Sequence, residues 1–216
     1  CMTGVLVTRR ARLSIESRFE NIEVAERALL EVLAGSCADS DQQYWLLTAL
    51  REAIVRWMGR RFDIDVAPDH VAAAIGTKEF VATLPQWLHL RDPSRDTVLF
   101  PSVAYPTYEM GAILAGCRAV PVPALPDGRL DLDAIDPGDA DRALVLWVNS
   151  PSNPTGAAYS RAELQALGEV LARYEQVVIA TDDMYEHIYW SDEPFCSLVT
   201  ACPDLYDRTV TINGVS

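Results

Sequence analysis

The sequence predicts an α/β fold, with a mostly parallel sheet and helices on both of its faces. Short apolar runs alternate along the chain with stretches of helical periodicity, and this order is typical of parallel sheets. Half of the 216 residues are hydrophobic and 23% are charged, which is ordinary for a globular protein with a substantial core. Such a chain is able to bury both faces of its sheet.

The individual elements follow in chain order from the apolar periodicity. Helices are predicted at residues 21–33, 48–62, 77–90, 108–116 and 161–174, with Thr77 and Ser160 as N-caps. Strands are predicted at residues 97–100, 118–122, 143–148, 176–181 and 209–213, and a shorter apolar run precedes them at 71–75. Residues 1–40 form an N-terminal helical segment without an assigned role, and residues 41–216 form the α/β domain.

Composition excludes several classes of protein. A net charge of −13 argues against binding to nucleic acid or to an anionic membrane surface. The five cysteines are widely spaced and include no C-x-x-C pair, so neither a metal site nor a disulfide framework is predicted. No apolar run approaches the roughly 18 residues of a membrane span, and the amino terminus lacks the pattern of a secretory signal. A cytoplasmic protein is expected.

Four polar segments follow predicted strands. They are Gly76-Thr77-Lys78, "SVAYPTY" at residues 102–108, "NSPSNPTG" at residues 149–156 and "DDMY" at residues 182–185. Ligands of parallel sheets collect where loops leave the carboxyl ends of the strands. The four segments are therefore expected to form one site.

The first two segments each allow two interpretations. Gly76 and Thr77 stand at a strand-to-helix junction, where free N–H groups and the helix dipole favour a phosphate. A simple helix cap is the alternative. Tyr105 is followed by Pro106, and its ring either stacks on a flat heterocycle or packs in the core.

The other two segments offer a carboxylate, a phenol and an amide. Asp182 ends an apolar strand, where its carboxylate needs a cation or a protonated nitrogen unless it only caps a helix. Asp183 competes for the same role. Tyr185 shares the side of Asp182 if the chain turns helical there. Asn153 is either a directional donor to a ligand oxygen or an Asx-type turn residue.

With these segments in this order, the sequence resembles the class I/II aminotransferases, which are fold-type-I enzymes that use pyridoxal 5′-phosphate (PLP). "NSPSNPTG" is similar to the family's N-P-x-N-P-T-G turn, and "TDDMYEHIYW" to its Asp-x-x-Tyr segment. "RTVTINGVS" resembles the strand that leads to the family's cofactor lysine. The resemblance runs from Leu50 to Ser216 and implies that residues 41–216 are part of the PLP-binding large domain.

The resemblance also implies a role for each candidate at the cofactor ring. Asp182 would pair with the protonated pyridine nitrogen, and Asn153 and Tyr185 would contact the phenolic oxygen from two sides. Tyr105 would stack on the ring face. By the same resemblance Asp182 and Tyr185 are the catalytic candidates, and Asn153 also lies near the substrate.

Two further contacts are implied at the phosphate. Gly76, Thr77 and Lys78 would bind it within the same chain. Tyr44 corresponds to an aromatic residue that reaches the phosphate of a neighbouring subunit, so a homodimer is expected.

The implied reaction is the transfer of an amino group between an amino acid and a 2-oxo acid. "GTKEFVATLPQWL" and "PSVAYPTYEMGAILAG" are most similar to N-succinyldiaminopimelate aminotransferases of lysine biosynthesis. From Arg161 onward the sequence is closer to bacterial aspartate aminotransferases. Both substrate classes remain open.

The family places its Schiff-base lysine directly after a segment like residues 213–216, where this sequence ends. Lys78 is the only lysine and falls in the phosphate turn, so the chain alone is expected to be inactive. One interpretation is a fragment that is incomplete at its C-terminus. The alternative is an inactive, aminotransferase-like remnant or binding module. A nucleotide-binding Rossmann protein is disfavoured because no G-x-G-x-x-G follows the first strand.

Overall fold

A computed structural model describes residues 40–74, 76–126 and 129–214 and confirms the α/β class. The predicted helix at 21–33 and the rest of the segment before Ser40 lie outside the described residues. The helices are α1 (Ser40–Phe62), α2 (Thr77–Arg91), α3 (Thr107–Leu114), α4 (Pro137–Asp141), α5 (Arg161–Leu171) and α6 (Leu198–Ala201). The strands are β1 (Thr97–Pro101), β2 (Arg118–Val122), β3 (Ala143–Asn149), β4 (Val178–Asp182) and β5 (Thr209–Ile212).

The five strands form one sheet in the order β2-β1-β3-β4-β5, and all neighbouring strands run parallel. All seven residues of β3 are buried, as expected for a central strand covered on both sides. Asn149 pairs in register with Asp182, so β3 and β4 end side by side. Polar loops that are far apart in the sequence therefore leave the sheet at adjacent points.

Helices cover both faces of the sheet, as predicted. On one face α5 and α6 pack Leu164 and Leu198 against Leu146 and Ile179. On the other face α2 and α3 pack against the residues of β3 that point the opposite way, including Trp147. The alternation of side chains along β3 distributes its apolar residues between these two cores.

Helix α1 has a core of its own beside the sheet. It starts at Ser40, before the predicted residue 48, and buries Ile54, Met58 and Phe62 on one stripe. Val71 packs into the same core. Within the described part of the chain, no helix has the length and apolar character needed to cross a bilayer.

Two predicted features at the start of α2 are wrong. Gly76, with φ of +89°, is the N-cap, and Thr77 is the first helical residue with a buried side chain. A positive φ favours glycine at this position, and no side chain caps the helix. In the described residues 71–74, the apolar run packs with α1 and adds no strand to the sheet.

Candidate active site

The ends of β3 and β4 are joined by the side chain of Asn149. Its Nδ2 donates to the main-chain oxygen of Asp182 at 2.7 Å, and its Oδ1 accepts from the backbone N–H of Asn153 at 2.7 Å. Asn149 is buried, so its hydrogen bond to Asp182 is shielded from water, whereas the bond from Asn153 is partly buried. One amide thus positions the carboxylate strand and the proline-rich turn relative to each other.

The Asp182 carboxylate is buried with one oxygen free. Its Oδ2 accepts a hydrogen bond from the Tyr108 hydroxyl at 2.6 Å, whereas Oδ1 has no hydrogen-bond partner among the described residues. Burial raises the pKa of Asp182, and hydrogen bonding from the Tyr108 hydroxyl and from the backbone N–H of Met184 opposes that rise. A buried carboxylate with an open oxygen is suited to a ligand that brings a cation or an N–H donor.

Tyr108 holds Asp182 from the α3 side. Its ring stacks on Trp147 with centroids 4.6 Å apart and planes 17° from parallel. The ring of Tyr105 meets Tyr108 edge-on at 5.9 Å and is half-buried. Burial raises the pKa of Tyr108 well above its ordinary value, with the charge of Asp182 acting in the same direction, so the phenol stays a donor.

The predicted neighbours Asn153 and Tyr185 lie in contact. Nδ2 of Asn153 donates to the Tyr185 hydroxyl at 3.1 Å. The chain does turn after β4, because the N–H of Glu186 donates to the carbonyl oxygen of Asp183 at 3.1 Å. Tyr185 is 37% exposed, so its hydroxyl is accessible from solvent. An amide and a phenol thus meet between the turn that follows β3 and the turn that follows β4.

Asp183 differs from Asp182 in its partners. Its Oδ1 accepts from the Thr181 hydroxyl at 2.6 Å and its Oδ2 from the Ser197 hydroxyl at 2.7 Å. Burial raises the pKa of Asp183 to about 7, against the effect of these two hydroxyls. With both oxygens engaged inside the fold, Asp183 is a structural carboxyl group, and Asp182 is the one that offers an acceptor to a ligand.

The start of α2 presents free backbone donors. The first turn of any α-helix leaves its N–H groups without helical partners, and Gly76 keeps the approach to them open. A side chain at position 76 would collide with the Glu79 carboxylate, since a Cβ there would lie 2.7 Å from Oε2. Lys78 is exposed. Phe80 shares a core with Tyr108, so α2 and α3 cover the same face of the sheet.

Tyr44 lies near the start of α1. It is 63% exposed, and its ring meets Trp45 at 5.6 Å. Neither this contact nor the hydrogen bond from Thr48 to its carbonyl oxygen joins it to the other candidates. Its assignment to a neighbouring subunit's phosphate stays a prediction.

An uncharged groove of about 620 Å³ borders the pair of Asn153 and Tyr185. Its walls are formed largely by proline and apolar or aromatic side chains, among them Pro151, Pro154, Ile188 and Trp190. Trp190 is 90% exposed. Within the described residues, no group of three His, Cys, Asp or Glu side chains is arranged to hold a metal ion.

Three residues that organise this site were not singled out from the sequence. They are Asn149, Tyr108 and Ser197, which hydrogen-bond to the main chain of Asp182, to its carboxylate and to Asp183. Asn149 carries the clearest signal, because a polar residue directly ends a run of six apolar ones. Tyr108 and Ser197 carry none, since their roles depend on contacts made only in the folded chain.

Comparison with known proteins identifies the family. The family model for aminotransferase class I and II matches residues 15–216. The chain is 36% identical over 170 residues to aspartate/prephenate aminotransferase of Nitrosomonas europaea, covering 78% of this chain and 42% of that protein. It is 38% identical over 169 residues to LL-diaminopimelate aminotransferase of Aquifex aeolicus, covering 77% and 42% respectively. The chain thus spans less than half the length of these curated relatives.

The fold agrees with these sequence matches. A solved structure of a probable N-succinyldiaminopimelate aminotransferase from Thermus thermophilus superposes with a TM-score of 0.69 at 27% sequence identity. The superposition covers 94% of this chain and 54% of that one. Since the family model accounts for nearly the whole sequence, the chain belongs to the class I and II aminotransferases.

Proposed function

We propose that the chain forms the cofactor-binding part of an enzyme that transfers an amino group between an amino acid and a 2-oxo acid. The cofactor is PLP, which the family generally uses. The observation that carries this proposal is the buried carboxylate of Asp182, which has one oxygen without a partner among the described residues at the end of β4. The neighbouring strand β3 ends in register with it and leads into the turn of Asn153, which contacts Tyr185.

The residues fit a pyridine ring. When bound, PLP supplies an electron sink whose strength depends on protonation of the ring nitrogen. Oδ1 of Asp182 would accept the hydrogen bond of that N–H and gain the cationic partner that its burial calls for. Tyr108 would keep the other oxygen occupied, so that the carboxylate stays oriented towards the ring.

The ring also carries a phenolic oxygen, on the carbon two positions from the nitrogen. The amide of Asn153 and the hydroxyl of Tyr185 already meet at 3.1 Å, and both are able to donate to one oxygen placed between them. Tyr105 would cover a ring face. Gly76, Thr77 and Lys78 would hold the phosphate at the start of α2, and the Glu79 carboxylate would turn away from the anion.

Binding of PLP to the chain tests this arrangement. Titration of the chain with PLP, followed by the absorbance of the cofactor, gives a dissociation constant. Replacing a charged partner by its neutral isostere costs about 1.5–3 kcal/mol, so Asp182→Asn is expected to weaken binding roughly 10- to 100-fold. The exposed Asp192→Asn is the matched control and should bind as the unmodified chain does. Equal affinity of the two variants would reject the role of Asp182.

The substrates of the whole protein are proposed from the family. A dicarboxylic donor such as aspartate or glutamate fits the similarity to aspartate/prephenate aminotransferases, and the diaminopimelate relative supports a role in lysine biosynthesis. An assay of the protein as encoded, with each donor and a panel of 2-oxo acids, separates these classes. A non-catalytic binding module is the second candidate, and it predicts that PLP binds while no amino group is transferred.

The whole protein is proposed to be a homodimer. The outer side of α3 supports an interface, because Met110, Ile113 and Leu114 are 48%, 54% and 68% exposed. Sedimentation analysis of the protein over a range of concentrations measures the oligomeric state. A monomer at all concentrations would contradict this part of the proposal.

A further inference from the structure

A buried glutamate directly follows Tyr185. The side chain of Glu186 has no exposed surface, although its two chain neighbours Tyr185 and His187 are both exposed. Among the described residues, neither of its oxygens has a hydrogen-bond partner of good geometry. A carboxylate in such a place is costly unless a cation lies close to it.

An arginine from a distant part of the chain lies close to this carboxylate. Nε of Arg61, in the last turn of α1, lies 3.6 Å from Oε1 of Glu186. The side chain of Arg61 is 34% exposed, so it spans the distance from the surface to the buried carboxylate. On the other side Nε2 of His187 lies 2.9 Å from the same oxygen, and the carboxyl of Asp183 also senses the charge of Glu186.

The contact between Arg61 and Glu186 joins helix α1 to the turn that follows β4. Helix α1 packs in its own core, whereas Tyr185 and Glu186 belong to the turn that follows β4. Tyr185 reaches Asn153 with its hydroxyl, and Glu186 points from the same turn into the protein towards α1. Because Tyr185 and Glu186 are joined by a single peptide unit, a displacement of Glu186 also displaces Tyr185.

We infer that Arg61 and Glu186 are positioning residues, whose ion pair holds the turn so that the hydroxyl of Tyr185 stays against Asn153. The inference rests on the proposed function, since it concerns the phenol that would face the cofactor. It adds α1 to the elements that determine the geometry of the site. Asp182 is held separately, through Tyr108 and Asn149.

Fluorine NMR of the chain labelled with 3-fluorotyrosine tests the inference without cofactor. The sequence contains eight tyrosines, and loss of one resonance in Tyr185→Phe assigns that of Tyr185. The variant Asn153→Ala removes the partner amide and shows where the resonance lies when the hydroxyl is released. Tyr108 is assigned in the same way and reports on the rest of the site.

Two variants break the ion pair in different ways. Glu186→Gln keeps the shape of the side chain and removes its charge, whereas Arg61→Met leaves the buried carboxylate without its arginine. Both are expected to move the Tyr185 resonance towards its position in Asn153→Ala, with Tyr108 unchanged. Arg61→Lys keeps the charge and should restore part of the shift. In the double variant Arg61→Met with Glu186→Gln, the Tyr185 resonance should lie closer to that of the unmodified chain than it does in Arg61→Met alone. The double variant leaves no unpaired buried charge.

A surface ion pair on the same helix provides the control. Arg56 lies 3.5 Å from Glu52, and both side chains are more than half exposed. Arg56→Met should leave the Tyr185 resonance in place. An unchanged Tyr185 resonance in both Glu186→Gln and Arg61→Met overturns the inference. Movement of Tyr185 and Tyr108 together also overturns it, because the pair would then support the fold in general. Failure of PLP binding would instead remove the proposed function and leave this result standing.

Discussion

The amide of Asn149 donates to the main-chain oxygen of Asp182 at 2.7 Å, across two strands that are paired in register at these residues. The same side chain accepts from the N–H of Asn153, at the tip of the proline-rich turn. Two loops that carry candidate ligand-binding groups are therefore held by one buried side chain. The position of the Asn149 side chain relative to Asp182 is set by the sheet, because the register of β3 and β4 determines which residues stand opposite each other.

Asn149→Ala removes both hydrogen bonds and leaves a buried carbonyl oxygen of Asp182 and a partly buried N–H of Asn153 without these partners. The free energy of unfolding should fall by about 1–3 kcal/mol, which is typical for an unsatisfied buried polar group. Urea denaturation followed by circular dichroism measures the loss. Asn153→Ala is the control, because its amide bonds to Tyr185 at the surface, and it should cost distinctly less. Equal losses would mean that the Asn149 amide does not tie the two loops together.

Tyr108→Phe keeps the stack on Trp147 and deletes the hydrogen bond to Oδ2 of Asp182. That bond favours the ionised carboxylate, so its loss should raise the pKa of Asp182 further above its already raised value. A folded-state pKa above the unfolded value lowers stability as pH rises between the two values. The variant should therefore lose more stability at pH 8 than at pH 4, close to the ordinary value of 3.8.

Paired urea titrations of Tyr108→Phe and the unmodified chain at the two pH values measure this difference. Tyr105→Phe is the matched control, since its ring is half-buried and contacts Tyr108 by its edge. A loss of the same size at pH 4 and pH 8 would show that the tyrosine hydroxyl does not act on the Asp182 carboxylate.

The sequence predicted the elements that have a strong local signal. Strand β3 is a run of six apolar residues with a polar end, and it has almost the predicted bounds. Helix α5 begins where Ser160 and Glu163 form a capping box, a pattern visible within four residues of sequence. Its end was predicted three residues too late, at Tyr174 instead of Leu171. The sequence shows no glycine or proline at this end, where the carbonyl oxygens of Leu171 and Tyr174 accept both from local backbone N–H groups and from Arg208, in a distant segment.

The choice between Asp182 and Asp183 shows the limit of the sequence. The two residues are chemically identical neighbours at the end of one strand, so local patterns do not distinguish them. Their partners differ in the folded chain, since Tyr108 is 74 residues away from Asp182 and Ser197 is 14 residues away from Asp183. For the same reason the buried Glu186 and its contact with Arg61 were not foreseen.

Asp183 should give the stability of the chain a pH dependence. Burial raises its pKa from the ordinary value of 3.8 to about 7. Below about pH 4 the folded and unfolded chains both carry the proton, and between about pH 4 and 7 only the folded chain keeps it. Stability contributed by this group is thus lost as pH rises through that window, by up to roughly 4 kcal/mol in total, and is constant above it.

Asp183→Asn removes this titration while it preserves the shape of the side chain. The difference in free energy of unfolding, unmodified chain minus variant, should decrease from pH 4 to pH 7 and then level off. Urea titrations in steps of pH measure it, with the exposed Asp192→Asn as a control whose difference stays flat. A difference that rises with pH would mean that the folded state stabilises the charged form of Asp183.

Arg208 should be among the most important single side chains for the stability of the face of the sheet that α5 covers. Its guanidinium donates to the carbonyl oxygens of Leu171, Tyr174 and Val177 at 2.7, 2.7 and 3.0 Å, and so closes the connection from α5 to β4. Burial lowers the pKa of Arg208 somewhat, yet arginine remains charged at neutral pH. Arg208→Met leaves three carbonyl oxygens without this donor.

The expected loss for Arg208→Met is about 2–4 kcal/mol, since hydrogen bonds from a charged donor contribute more than neutral ones. Arg208→Lys should recover only part of the lost stability. A single ammonium group lacks the planar, forked donors of the guanidinium and does not reach all three oxygens. Arg173→Met is the control, since Arg173 pairs with Asp133 at 3.4 Å on the surface, and exposed pairs contribute little. Urea denaturation ranks the three variants. If Arg173→Met costs as much as Arg208→Met, the carbonyl cluster does not account for the stability of this connection.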